Sequence, residues 1–292
     1  MFLLLQKTFV GGFTLGAVKY LRSDSTMTRM KPTVADLLAG KGKVQRTNVL
    51  AWTVDEAAAA EEASIDIVTT GHNLQLPAIR AAAPTAFMIT GMDYGRLATT
   101  DDYLREACTL YGMGIDAMYC VASLETIGRL AAEGFPIMSH VGLIPSKATW
   151  TGGFHAVGKT AEAAMKIFRQ IRRLEDVGAL GAEIEVVPAE VASAISARTS
   201  LFMMSMGAGA GCDAQYLFAE DILGSHDRHY PRHAKKYRDL RAEYARIQLE
   251  RVAGLTEFRN DVAAGRFPEE GHLVPIPPDE LEKFVNQLDA PS

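Results

Sequence analysis

Short apolar runs recur along this chain at near-even intervals, and each ends in glycine or polar residues before a helix-like stretch begins. The runs cover residues 48–53, 65–70, 86–90, 116–121, 135–138, 183–187 and 201–204. Runs this short, bounded by turn residues, suit fully buried strands. Between them, 55–63, 76–83, 100–112, 124–133, 159–177 and 189–197 read as helices. Thr100 is a candidate N-cap, Asp101 and Asp102 suit the positive end of that helix, and Gly134 is a candidate C-cap. Strands alternating with helices predict βαβ units and a parallel sheet. Seven or eight such units predict an α/β fold, a closed (β/α)8 TIM barrel with additional C-terminal helices. The eighth strand is the least marked; residues 218–223 are its nearest candidate.

The barrel is expected over residues 30–235, followed by a helical extension over 236–292 that carries a charged helix at 237–255. Residues 1–29 read as a separate leader. Their apolar stretches, 2–5 and 9–18, are broken by Lys7 and end at Lys19 and Arg22. That is too short and too interrupted to span a bilayer, and no small-residue cleavage site follows. The expectation is a leader foreign to the fold, with the true start at Met27 or Met30 and no stable membrane association. A net charge of −5 with no basic stripe argues against nucleic acid as a partner. Cys108, Cys120 and Cys212 form neither a paired zinc pattern nor a disulfide framework, which points to a reducing cytoplasm.

In a parallel barrel the chemistry gathers where strands end and βα loops begin. That filter selects His72 and Asn73, Asp93, Tyr119 and Cys120, His140, Glu183 or Glu185, and Ser205. His140 follows Ser139 and precedes the glycine-containing run Gly142–Pro145; its plain alternative is a buried, hydrogen-bonded histidine. Glu185 alternates with Ile184 and Val186 in an apolar strand. A carboxylate buried there costs several kcal/mol unless partnered or protonated, so its pKa should rise, as a general base near neutrality requires. The alternative is a structural ion pair. Choosing between Glu183 and Glu185 rests on strand phase, since one residue faces in and its neighbour out. Gly207-Ala208-Gly209 alone is weak evidence for anion binding. His226, His229 and His233 flank Pro231 and read as a solvated loop; Cys120 and Cys212 read as packing residues.

The motifs MKPT at 30–33, SHVGLIP at 139–145, TGGFHAVGK at 151–159, EIEVVP at 183–188 and MGAGAGCDAQ at 206–215 resemble those of the ketopantoate hydroxymethyltransferase family. That family belongs to the phosphoenolpyruvate mutase/isocitrate lyase group of barrels, and the similarity spans roughly residues 30–271. The resemblance implies that 3-methyl-2-oxobutanoate, a small oxo acid, is deprotonated beside its carbonyl and that the enolate attacks the one-carbon unit of methylenetetrahydrofolate. It implies Mg²⁺ as the ion that holds the keto acid. It places Glu185 on the family's catalytic glutamate and His140 on its active-site histidine, and it implies a homo-oligomer.

The first half of the chain departs from that pattern. Gly71-His72-Asn73 stands where the family has Gly-Asp-Ser, Gly91 stands where it has an Asp, and Tyr119-Cys120-Val121 replaces Lys-x-Glu. Mg²⁺ demands hard oxygen ligands, which Gly91 and Val121 lack and His72 replaces with nitrogen. A degenerate Mg²⁺ site is therefore expected. His72 and Asp93 are the weak metal candidates, and His72, Asp93, His140 and Glu185 together could suit Zn²⁺ or Mn²⁺. Without metal, His72, Asn73, Tyr119 and backbone N–H groups would stabilise the enolate, with Ser205 a further substrate contact. The leading expectation is a diverged enzyme that makes or breaks a C–C bond in an oxo-acid-like substrate, with Glu185 and His140 as its acid/base pair. The alternatives are an authentic hydroxymethyltransferase of pantothenate biosynthesis and a non-catalytic ligand-binding barrel.

Overall fold

Eight strands pair in chain order, each parallel to the next, and the last returns to the first to close a barrel. The structure is a computed structural model that describes residues 29–288. The strands are β1 (Arg46–Leu50), β2 (Ile67–Thr70), β3 (Phe87–Gly91), β4 (Ala117–Tyr119), β5 (Ile137–Gly142), β6 (Gly181–Glu185), β7 (Phe202–Met206) and β8 (Ala214–Phe218). Helix α1 (Val34–Ala39) precedes them. Helices α2 (Val54–Glu62), α3 (Leu76–Ala82), α4 (Thr100–Gly112), α5 (Leu124–Ala132), α6 (Ala148–Thr151), α7 (Ala161–Asp176) and α8 (Ala189–Ser196) lie between them. All strands run the same way, so each needs a crossover, and the helices cover the outer face.

The period of two sorts the side chains into two apolar layers. Val68, Met88, Met118, Ile137, Val141, Ala182, Ile184 and Met203 pack outward against the helices in one cluster. Leu50, Ile67, Phe87, Ile89, Met138, Phe202, Met204 and Tyr216 fill the interior in another. Leu37 of α1 joins the interior cluster. Its helix is held by a capping box, in which Thr33 and Asp36 satisfy each other's backbone N–H.

The seam between β1 and β8 pairs Arg46 with Ala214 through to Leu50 with Phe218. Beside it the buried Asp213 carboxylate accepts from Lys41 Nζ at 2.8 Å, Gly42 N at 3.0 Å and Met203 N at 2.8 Å. A buried charge is tolerable when its oxygens are satisfied this fully.

Three expectations need correction. The eighth strand is Ala214–Phe218, and Ala219–Leu223 is a helix, α9; the apolar residues at 218–223 straddle that change of element. β5 extends through His140, because the polar pair Ser139-His140 lies inside the strand. The cap of α4 is Thr99, whose side chain accepts from Asp102 N, while Thr100 is already helical and meets the Thr126 hydroxyl at 2.9 Å.

By its internal contacts the chain divides into two units: one extends through Ala219 and includes Pro231–Ala234, and the other takes Glu220–Tyr230 and Lys235 onward. The second holds α10 (Leu240–Ala263) and α11 (Pro278–Leu288). Within it, His226 bonds Asp221 at 2.8 Å and stacks on Tyr230, and Phe258 meets Phe267 edge-on. The leader expected over 1–29 lies outside the described residues except for Arg29. Among the described residues no helix is long and apolar enough to cross a membrane.

Candidate active site

Glu183 and Glu185 are two residues apart on one strand, so both project to the same side, and the phase argument does not choose between them. Ile184, between them, packs outward. Strand register sets His140 opposite Glu183 and Gly142 opposite Glu185. The result is one buried group at the carboxyl ends of β4, β5 and β6. His140 Nε2 lies 3.1 Å from Glu185 Oε2 and 4.0 Å from Glu183 Oε1. Tyr119 Oη donates to Glu183 Oε2 at 2.5 Å and lies 2.6 Å from His140 Nδ1.

Proton counting fixes the roles within this group. A phenol has one proton. If it goes to Glu183, then Nδ1 carries its own hydrogen and donates it to the phenol oxygen. Nε2 is left facing Glu185. Burial alone would push the imidazolium toward losing its proton, but the neighbouring Glu183 and Glu185 charges outweigh it, and the His140 pKa is raised. Burial also raises the Glu183 carboxyl; Glu185 adds to the rise, while His140 and the Tyr119 hydrogen bond oppose it. Tyr119 is held well above its usual range by burial and by the Glu183 charge, so it stays a neutral donor.

Two backbone features aim Glu185. Gly142 sits at φ 88°, and a Cβ there would fall 2.4 Å from the Glu185 carbonyl oxygen, so only glycine lets the ends of β5 and β6 approach this closely. Leu143 N then donates to that oxygen at 2.9 Å. Val186, the next residue after Glu185, sits at φ 49°. A β-branched residue in that region is strained, and such strain gathers at sites whose geometry matters. Hydrogen bonds from Val186 N to Met206 O and from Val157 N to Val186 O hold the turn.

The other residues expected at the site are engaged elsewhere. His72 Nδ1 pairs with Glu106 of α4. Asn73 folds onto its own loop, accepting from Gln75 N at 2.8 Å and donating to Gly71 O at 3.3 Å. Ser205 braces the following turn: its hydroxyl donates to Gly209 O at 2.7 Å and accepts from Ala208 N at 3.2 Å. Asp93 lies 4.0 Å from Arg96. Cys120 and Cys212 pack in the outer cluster, where burial raises their thiols to about 11 and about 12. Tyr94 escaped the sequence reading. Its hydroxyl donates to Tyr119 O at 2.8 Å and accepts from Val121 N at 3.0 Å, which pins the end of β4. The only clue was an aromatic between Gly91 and Gly95.

The fold is that of the (β/α)8 barrel enzymes, with its polar group where those enzymes keep their chemistry. A model of the ketopantoate hydroxymethyltransferase family matches residues 57–270, and the chain belongs to that family of transferases. It is 33% identical over 241 residues to 3-methyl-2-oxobutanoate hydroxymethyltransferase 1 of Methylibium petroleiphilum, covering 77% of this chain and 80% of that protein. It is 31% identical over 273 residues to 3-methyl-2-oxobutanoate hydroxymethyltransferase of Desulfotalea psychrophila, covering 83% of this chain and 94% of that one. Among solved structures, the carboxyl transferase domain of Rhizobium etli pyruvate carboxylase superposes with a TM-score of 0.52 at 10% identity, over 69% of this chain and 45% of that one. That likeness concerns the fold alone.

The Mg²⁺ implied by the resemblance can be tested against the donors present. His72 is committed to Glu106, Gly91 has no side chain, and Val121 offers no donor atom. These positions do not fit an ion that demands hard oxygen ligands. Among the described residues the group whose donor atoms converge is His140, Glu183 and Glu185, within 4.8 Å of one another.

Proposed function

We propose that this chain makes or breaks a C–C bond beside the carbonyl of a small 2-oxo acid, through an enolate. The observation that carries the reading is the buried contact of His140 with Glu185 at the carboxyl ends of the strands. Glu185 takes the proton next to the carbonyl; the C–H electron pair becomes the enolate. His140, kept positive by the two carboxylates, supplies the nearby positive charge that the enolate oxygen needs. Tyr119 fixes the imidazole through Nδ1 and engages one oxygen of Glu183. The names of the relatives support 3-methyl-2-oxobutanoate as the acceptor, and the family resemblance supports methylenetetrahydrofolate as the one-carbon donor. In the forward direction the enolate carbon bonds to the one-carbon unit as that unit's bonds to the two folate nitrogens break; water supplies the new hydroxyl oxygen, and one proton from water and the one taken from C3 end on the two nitrogens.

The test is solvent exchange. In D₂O the enzyme should wash deuterium into C3 of 3-methyl-2-oxobutanoate without folate, followed by proton NMR. Glu185→Gln should abolish the exchange. Exchange at the wild-type rate in that variant would refute the assignment.

We also propose a second copy of this chain as a partner. The whole of α10 lacks a buried residue, and Leu249, Val252, Leu255 and Phe258 are exposed along it. A helix with that much open apolar surface calls for a partner.

A further inference from the structure

We propose that His140 Nε2, Glu183 Oε1 and Glu185 Oε2 form a site for a divalent transition ion of the zinc or manganese kind, with Tyr119 as its outer support. This ligand set lies on β5 and β6 and is distinct from the positions where the resemblance implies Mg²⁺. The proposal goes beyond the enolate reading and changes it in one respect: with an ion on Nε2 the imidazole is neutral, so the positive charge beside the enolate would come from the ion and not from His140.

Four observations converge. First, the three residues each offer a donor atom within 4.8 Å of the other two, and Nε2 stands 3.1 and 4.0 Å from Glu185 Oε2 and Glu183 Oε1. Donors around one ion at about 2.0–2.2 Å lie roughly 3–3.5 Å apart, so only a small closure is needed. Second, Nε2 is sealed from solvent and faces two carboxylate oxygens, Glu185 Oε2 at 3.1 Å and Glu183 Oε1 at 4.0 Å. Third, Tyr119 ties down the far side of two of the three ligands, through Nδ1 of His140 and Oε2 of Glu183. Metal-binding histidines and carboxylates are oriented in this way by groups behind them. Fourth, the donor set is buried as a whole: His140, Glu183 and Glu185 are all buried, and two carboxylates beside an imidazole are donors of the kind a divalent ion takes.

The donor chemistry selects the ion. Imidazole suits zinc and its neighbours and carboxylate suits manganese, whereas a site with a nitrogen ligand disfavours magnesium. Three protein ligands leave positions open for water or substrate oxygens. A carboxylate bound through Oε2 keeps its other oxygen, so Glu185 retains an atom that can accept a proton.

The experiment is titration of the metal-stripped full chain with Zn²⁺, Mn²⁺ and Mg²⁺ by calorimetry, without substrate. The expected result is one Zn²⁺ per chain, bound at least a hundredfold tighter than Mg²⁺. Glu183→Gln and His140→Gln should each weaken Zn²⁺ at least a hundredfold, and Tyr119→Phe about 10–100-fold. If a variant fails to fold, wild-type protein loaded with Mn²⁺ decides the matter: electron spin echo spectra should show ¹⁴N coupling from one imidazole. Equal affinity for Mg²⁺, unaltered binding in the folded variants, or no nitrogen coupling would each overturn the site. Deuterium exchange that persists in chelator alongside failed binding would sink this proposal and leave the enolate reading standing; binding without exchange would do the reverse.

Discussion

Gly142 and Glu185 face each other across β5 and β6 so closely that the missing side chain of one sets the backbone of the other. The catalytic carboxylate proposed here is therefore positioned by an absence. Gly142→Ala must relieve both a 2.4 Å clash and a left-handed φ. We expect a loss of about 2–3 kcal/mol in chemical denaturation and more than tenfold slower C3 exchange. Normal exchange in a destabilised protein would separate the two effects and remove the positioning role.

Val186→Gly is expected to leave stability nearly unchanged. Glycine tolerates the turn that valine adopts under strain, though it loosens the unfolded chain and loses the valine side chain. The net change should lie within about 1 kcal/mol of zero. Exchange should nevertheless fall, because the turn that aims Glu185 is freed. Denaturation curves beside NMR exchange rates check both halves.

Acid stability should depend on Asp66. Burial works to raise this carboxyl, but the Thr47 N–H and hydroxyl and the Arg46 guanidinium prevail, and its pKa is lowered. A carboxyl depressed in the folded state contributes stability above its unfolded pKa of about 4, and the contribution vanishes as pH falls through the folded value. Asp66→Asn should cost about 1–3 kcal/mol at neutral pH. Its stability should fall less than that of wild type between about pH 4 and the acid limit. Parallel curves for the two proteins below pH 4 would reject the assignment.

The exposed helix α10 makes a prediction about assembly. Light scattering coupled to size exclusion should give a mass above that of one chain, and the pair Leu249→Glu with Leu255→Glu should reduce it. Both residues are 70% exposed, so the substitutions disturb no core. A wild-type monomer would dispose of the second copy.

Most of the barrel was readable because buried parallel strands leave unbroken apolar runs between turn residues. What escaped followed from local ambiguity. Ala214–Phe218 carries Gln215 at its second position and is only partly buried, so its pattern is weaker than that of the apolar residues just beyond. β5 ran past its apolar stretch because His140 is buried by partners from other strands, which no local pattern encodes. His72 and Glu183 show the same limit at the site. One sits at a strand end, as an active-site residue would, yet turns to Glu106 of α4; the other differs from Glu185 by two positions, and only the contacts of Tyr119 reveal what it does.

The seam between β1 and β8 joins the first strand to the last, with Asp213 clasping Lys41 and Gly42 beside it. During synthesis the cylinder cannot shut until the segment around 214–218 has left the ribosome. Until then β1 and β7 wait with open edges, and their hydrogen-bonding groups are available to any neighbouring chain.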